Sequence, residues 1–417
     1  MSTRTDHRDD AATELHMSIE DDTGAVAHVL VVGAAAAGLT TVEALRRKGY
    51  PGRITVLGAE PHAPYDRPPL SKQILSGAWA PDRAALRTEE TLSGLDTEFV
   101  LGDPALALDP ATRTVRTGSG RELGADAIVI ATGVRPRMLP EQRELTGVHV
   151  LRTLDDALAL RTDLLAGSRL VVVGEGVLGS EIAATARTLG LDVTLAGPLT
   201  GPLALQVGPL VSGLLAELHS ERGVRLRLGN GVVGLTGDQG RVSGVELSTG
   251  EVLPADVVVV AIGATPATEW LAGSGLELDN GVVCDSRCRA APGIYAVGDV
   301  ARWQHEGLGR LIRLENRTNA TEQAMAVAGA ILGEDRPYEP VPYFWTDQFD
   351  AKLQVHGFLP ADAEVDVVDG ELTSRRFVAR YRSGGRVTGI LGWNMPKQAR
   401  QRRQEIVDAV PSPAPAH

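Results

Sequence analysis

The sequence predicts an α/β fold built from two similar strand–turn–helix units, followed by a smaller C-terminal α+β domain. Three observations carry this. His28–Val32 reads HVLVV, a continuous apolar run of the kind buried parallel strands show, and leads through a glycine turn into the helically spaced AGLTTVEALRRKG. The same order returns in RLVVVGEGVLGSEIAATARTLGLDVTLAG, Arg169 to Gly197. Beyond Gly333 the chain changes to alternating, aromatic segments, PYFWTDQFDAKLQVHG and SRRFVARYRSGGRVTGILGW, which suit antiparallel strands.

A chain of 417 residues exceeds what one hydrophobic core accommodates, so two or three domains are expected. The formal net charge of -12 argues against a general nucleic-acid binder. Only two cysteines are present, Cys284 and Cys288, too few for a disulfide framework, which places the chain in a reducing compartment such as the cytoplasm. The longest charge-free apolar stretch, Val29 to Val42, is shorter than the roughly 20 residues a membrane-spanning helix needs.

Taken in order, residues 1–27 are polar and acidic and read as a loose tail. In the first unit Gly33, Ala35 and Gly38 occupy the three positions of a G-x-G-x-x-G turn, which lets backbone approach a pyrophosphate at a helix N-terminus. Ala35 departs from that pattern. Its methyl should push a phosphate slightly outward without removing the amides that hold it. Glu60 ends the second strand, RITVLGAE, where a carboxylate can accept both hydroxyls of an adenosine ribose. PYDRPPLSK then carries Arg67 and Lys72 on a proline-rich turn; they are either cofactor-serving cations or ordinary surface charges.

The second unit has all three glycines, Gly174, Gly176 and Gly179, with Glu181 just inside the helix. Its second strand ends at Gly197, where an acid would select an unphosphorylated ribose, and no arginine sits beside it for a 2′-phosphate. The choice between NADH and NADPH is left open by this pattern. Each unit is followed by a buried strand and a glycine turn, DAIVIATGVRP at Asp126–Pro136 and DVVVVAIGATP at Asp256–Pro266. GIYAVGDVA puts Asp299 at the carboxyl end of a strand, where open α/β sheets bind ligands. A helix beginning near Thr318 would aim its amide end at a bound anionic group. PSPAPAH reads as a flexible tail.

Taken together, GAAAAG, PYDRPPLSK, ATGVRP, GEGVLGSEIA, YAVGDVA and PYFWTDQFD resemble, in this order, the ferredoxin reductases that serve bacterial oxygenases (rhodocoxin and putidaredoxin reductase-like). The likeness runs from His28 to Arg403 and implies a glutathione-reductase-like fold with FAD and NAD(P)H as cofactors. The resemblance implies a split FAD domain at 28–149 and 268–335, an NAD(P)H domain at 150–267, a C-terminal domain at 336–409 and a tail at 410–417. It also implies that Gly33, Ala35, Ala36, Ala37 and Gly38 cradle the FAD pyrophosphate, Glu60 takes the adenosine ribose and Asp299 the ribityl chain. Ala105, Thr132, Gly133 and Val300 join the FAD set, with Arg67, Lys72 and Arg317 near the flavin. Gly174, Gly176, Leu178, Gly179, Glu181 and Gly263 form the nicotinamide-nucleotide set. Lys72 and Glu181 are expected to be neighbours at the reacting end, and no metal site is assigned.

Two departures stand out. Ala35 is one, and Arg317 stands where the family commonly has tryptophan; a cation there would favour anionic reduced flavin. The redox cysteine pair of the disulfide-reductase branch is missing from Pro69–Ser76. The implied acceptor is a small acidic [2Fe-2S] ferredoxin, met by the basic cluster Lys397, Arg400, Arg402 and Arg403, which is equally the pattern of a solvated helix face. A monomer or homodimer is expected. Two other readings share the hydride half-reaction: a flavoenzyme reducing oxygen, quinone or a small molecule directly, and a redox-responsive binding protein resembling apoptosis-inducing factor.

Overall fold

The computed structural model describes residues 26–140 and 142–409. The expected tails therefore lie outside the described residues, apart from Val26 and Ala27.

The apolar runs become strands buried on both faces. A six-stranded sheet takes the order Arg289–Ala291, Ile294–Ala296, Ala127–Ile130, His28–Val32, Arg53–Gly58 and Glu98–Leu101. His28–Val32 lies between Arg53–Gly58 and Ala127–Ile130, parallel to both. Only the outermost pair, Arg289–Ala291 with Ile294–Ala296, runs antiparallel. The sheet is thus assembled from chain on both sides of the second unit.

The second sheet has five strands in the order Arg225–Leu228, Asp192–Gly197, Arg169–Val173, Val257–Val260 and Val148–His149, all parallel. Val148–His149 falls before residue 150 yet pairs with Val258–Val259 in this sheet. Two residues are too few to leave a periodic signal, and tertiary pairing decides their place. Helices Ala36–Arg47 and Val177–Thr188 follow the first strand of each unit. The exits of the units are joined where Val134–Pro136 pairs antiparallel with Ala264–Pro266.

A five-stranded antiparallel sheet closes the molecule, in the order Tyr343–Gln348, Ala351–Gly357, Arg386–Trp393, Arg376–Ser383 and Glu364–Glu371. Its Leu353, Phe377 and Trp393 share a core with Val207, Val211 and Leu215 of helix Ala204–Glu221. Burial of each such side chain is worth about 1.5–3 kcal/mol, which fixes the sheet on the second unit. That helix kinks at Gly208, φ 73°, before Pro209, and the Tyr381 hydroxyl donates to the Val207 carbonyl at 2.7 Å. Among the described residues no helix is long and apolar enough to cross a membrane.

Candidate active site

A cavity of about 1570 Å³ runs between the two units, and its walls include the glycine turns of both. The turns are built alike. Gly33 has φ +125° and Gly174 +109°, and a Cβ at either would lie 2.2 or 2.3 Å from the carbonyl oxygen of Ala131 or Ala261. Only glycine permits that conformation and that closeness. A Cβ on Gly38 or Gly179 would meet the Gly33 or Gly174 carbonyl oxygen at 1.8 Å, so these two glycines set helix-on-strand packing and do not line the cavity. The middle position is different. A Cβ at Gly176 meets nothing within 4 Å, which explains how Ala35 is accommodated at the matching place.

Neither helix is capped by a side chain: the N-caps are Ala35 and Gly176, which carry no side-chain acceptor. The first-turn amides therefore face the cavity with their hydrogen-bonding capacity free, a cradle for an anion at each helix N-terminus. Two uncapped, glycine-edged helix starts on one cavity fit two bound dinucleotides.

Glu60 stands at the first turn. It accepts from Arg67 Nη2 at 2.8 Å and from the Tyr65 hydroxyl, while Tyr65 Oη in turn accepts from the Leu154 amide at 3.0 Å. Burial pushes the Tyr65 hydroxyl well above its ordinary value, so it stays a donor to Glu60. Arg67 also donates to the Arg152 carbonyl at 3.2 Å. The two cations of PYDRPPLSK are thus separated, with Arg67 turned to Glu60 and Lys72 elsewhere.

Lys72 sits in Leu70–Ile74, a π-helical turn in which the Ile74 amide reaches the Pro69 carbonyl at 3.0 Å. Its Nζ lies 2.6 Å from Glu181 Oε2. Glu181 is 5% exposed and fully partnered: Ser71 Oγ donates at 2.6 Å, Thr346 Oγ1 at 2.9 Å and the Asp347 amide at 3.4 Å. The chain continues through Gln348, which donates to Thr346 Oγ1 at 3.2 Å and contacts His219 Nε2 at 2.8 Å through its Oε1. Burial lowers the His219 pKa and favours the neutral ring. All three parts of the molecule meet on this one carboxylate.

Elsewhere on the cavity wall, Gly298 has φ +74° and its amide donates to Gln323 Oε1 at 2.8 Å, beside Asp299, which lines the cavity. Asp299 accepts from Arg152 Nη2 at 3.3 Å. Burial, then the neighbouring Arg67, lowers the Arg152 pKa. Thr132 Oγ1 donates to the Ala267 carbonyl at 2.9 Å, tying the two exits together, and Gly133 has φ +70°. Ala105, Leu178 and Gly263 line the cavity, whereas Val300 is fully buried and does not.

Arg317 opens helix Arg317–Ile331 at the cavity wall. Its Nε donates to Asp66 at 2.5 Å and its Nη1 to Thr321, so the positive charge is partly offset. Both cysteines are buried free thiols; Cys288 accepts from Gln323 at 3.2 Å and burial pushes it up to about 12. Arg402 of the basic cluster is engaged internally with Asp369 at 2.5 Å and Glu405 at 2.8 Å, while Lys397 and Arg400 are exposed.

Sequence reasoning overlooked Arg152, Thr346 and Glu175. Arg152 lies in no motif, and Glu175 and Thr346 sit inside GEGVLGSEIA and PYFWTDQFD at positions those patterns leave free.

Two uncapped helix starts and a buried ion pair on one cavity are the arrangement that a flavin- and nicotinamide-dependent oxidoreductase requires. The comparisons agree: residues 27–326 match the pyridine nucleotide-disulphide oxidoreductase family, and 343–416 match a reductase C-terminal domain. The chain belongs to the pyridine nucleotide-disulphide oxidoreductase family and is an FAD-dependent oxidoreductase using a nicotinamide dinucleotide. It is 36% identical over 385 residues to rhodocoxin reductase of Rhodococcus erythropolis, covering 92% of this chain and 90% of that protein. To the ferredoxin--NAD(+) reductase subunit of the benzene 1,2-dioxygenase system of Pseudomonas putida it is 38% identical, over 89% of this chain and 90% of the other. The covalent putidaredoxin reductase–putidaredoxin complex is similar at a TM-score of 0.87 and 34% identity, over 93% of this chain and 94% of the other.

Proposed function

We propose that the protein passes electrons from NAD(P)H through FAD to a small [2Fe-2S] ferredoxin that feeds an oxygenase. The observation that carries this is Glu181, held at once by Lys72 of the first unit and Thr346 of the C-terminal sheet. The reductase C-terminal domain is thereby part of the site rather than an appendage to it.

FAD supplies the chemistry, taking two electrons as hydride and releasing them singly. The chain's own part is binding and placement. The amides at Ala36 and Ala37 would hold one pyrophosphate and those at Val177 and Leu178 the other, Glu60 would take the adenosine ribose and Asp299 the ribityl hydroxyls. Lys72 and Glu181 fix each other on the wall of the shared cavity, where they would flank the reacting rings. Lys72, mostly buried, would offer positive charge to electron density on the bound flavin, and its low-dielectric surroundings would strengthen that effect. Arg152 holds Asp299 in place. Lys397 and Arg400 offer the acidic ferredoxin a docking charge, with Arg402 retained for internal pairing. The two free thiols suit a cytoplasmic location.

Steady-state turnover with NADH or NADPH tests the proposal, with a [2Fe-2S] ferredoxin and cytochrome c as final acceptor. Cytochrome reduction that depends on the ferredoxin supports it. Equal turnover with oxygen or quinone and no ferredoxin overturns it.

A further inference from the structure

The second unit lacks the acid that its strand end should carry, since Asp192–Gly197 stops at glycine. The structure fills that gap from across the turn. Glu175, the residue between the first two glycines of GEGVLG, is 3% exposed and directs its carboxylate at Gly197. A Cβ on Gly197 would lie 1.8 Å from Glu175 Oε2 and 2.8 Å from Oε1. The two positions therefore share one space: the carboxylate occupies it only because residue 197 has no side chain.

The carboxylate is held in place. Oε1 accepts from the Leu199 amide at 2.5 Å. Among the described residues Oε2 accepts no hydrogen bond, and Glu175, Gly197 and Leu199 all line the cavity. The strand end and the segment after it carry no positive charge. From Thr188 to Glu221 the chain has no lysine or arginine. On the adjoining strand Arg225 is paired with Asp192 at 2.7 Å and Arg227 with Glu251 at 3.1 Å.

We propose that Glu175 is the specificity-determining residue of the nicotinamide-nucleotide site, supplying from the glycine turn the carboxylate that selects NADH over NADPH. It rests on the assignment of the second unit to that nucleotide. Oε2 accepts from a ribose 2′-hydroxyl, and a 2′-phosphate at the same place meets like charge and a carboxylate that has no donor to give. The acid stands at a position that touches the strand end in space but lies 22 residues from it in the chain.

Calorimetric titration of the FAD-loaded protein with ADP-ribose and with 2′-phospho-ADP-ribose reads this without turnover. Wild type should prefer ADP-ribose. Glu175→Gln keeps an acceptor for Leu199 and nearly the same volume, so the fold should persist while the preference falls on the order of tenfold. The double variant Glu175→Gly/Gly197→Asp, which moves the acid to the strand end, should restore it. An unchanged preference in Glu175→Gln, or a wild type favouring the 2′-phosphorylated ligand, overturns the role of Glu175 while leaving the nucleotide site intact. Binding of neither ligand overturns the assignment of the second unit and this inference with it.

Discussion

Glu181 is a buried charge made tolerable by four donors from two other parts of the chain. Removing one partner of such a pair leaves the other charge stranded in a low dielectric, at a cost of about 3–5 kcal/mol. Lys72→Met should therefore lower stability by that order in urea unfolding followed by circular dichroism. Lys72→Met/Glu181→Leu should lose less than the single variant, because no charge is then left unpaired; a double variant that loses more would contradict the account. Glu181→Gln keeps an acceptor oxygen but leaves Lys72 uncompensated, so stability should also fall, while in the folded protein flavin reduction by nicotinamide slows on the order of tenfold or more, read by stopped-flow absorbance. Much at this scale was legible in the sequence: Lys72 and Glu181 sit in recognisable motifs, and their contact is what the family resemblance implied. Glu175 and Arg152 were not legible. The position of Glu175 in its turn accepts any residue, and its importance comes from Gly197, a neighbour only after folding.

Among the elements, the C-terminal strand Ala351–Gly357 carries a titration of its own. Its His356 is 6% exposed, stands 4.8 Å from the Tyr343 ring centre and has both ring nitrogens without hydrogen-bond partners. Burial, with Arg403 and Arg400 adding repulsion, brings its pKa down from 6.5 to about 4. The unfolded chain binds this proton more readily, so the neutral ring's contribution is complete above pH 6.5 and is lost as pH falls toward 4. The loss should approach roughly 3 kcal/mol. His356→Phe keeps a ring against Tyr343 and should flatten the stability profile across that window; a variant as acid-sensitive as wild type would show that the loss lies elsewhere. Parallel strands were readable because burial on both faces leaves continuous apolar runs. The π-turn at Leu70–Ile74 was not, since one extra residue per turn leaves no periodic trace, and its shape comes from packing on helix Val177–Thr188.

At the scale of the molecule, the three parts are arranged so that the cavity has one wall from each dinucleotide unit and a lid edge from the C-terminal sheet, where Phe344 and Trp345 line it. Domain order was legible because the units repeat; the way Thr346 enters the Glu181 network was not, since it depends on how the sheet packs. The overall charge of -12 repels an acidic partner, so docking must rely on a local patch. Reversing Lys397 and Arg400 to glutamate should lower the ferredoxin association rate about tenfold at low salt, with the difference shrinking as salt rises. Unchanged, salt-independent association would remove the patch from the docking surface. The central claim is that one cavity takes hydride from a nicotinamide nucleotide and gives single electrons to a ferredoxin. It is tested most directly by anaerobic stopped-flow absorbance of the purified protein, mixed first with NADH or NADPH and then with a [2Fe-2S] ferredoxin. The account predicts rapid flavin bleaching, faster with NADH, followed by reoxidation when the ferredoxin arrives. A protein without flavin, or one bleached by nucleotide but left reduced by the ferredoxin, would contradict it.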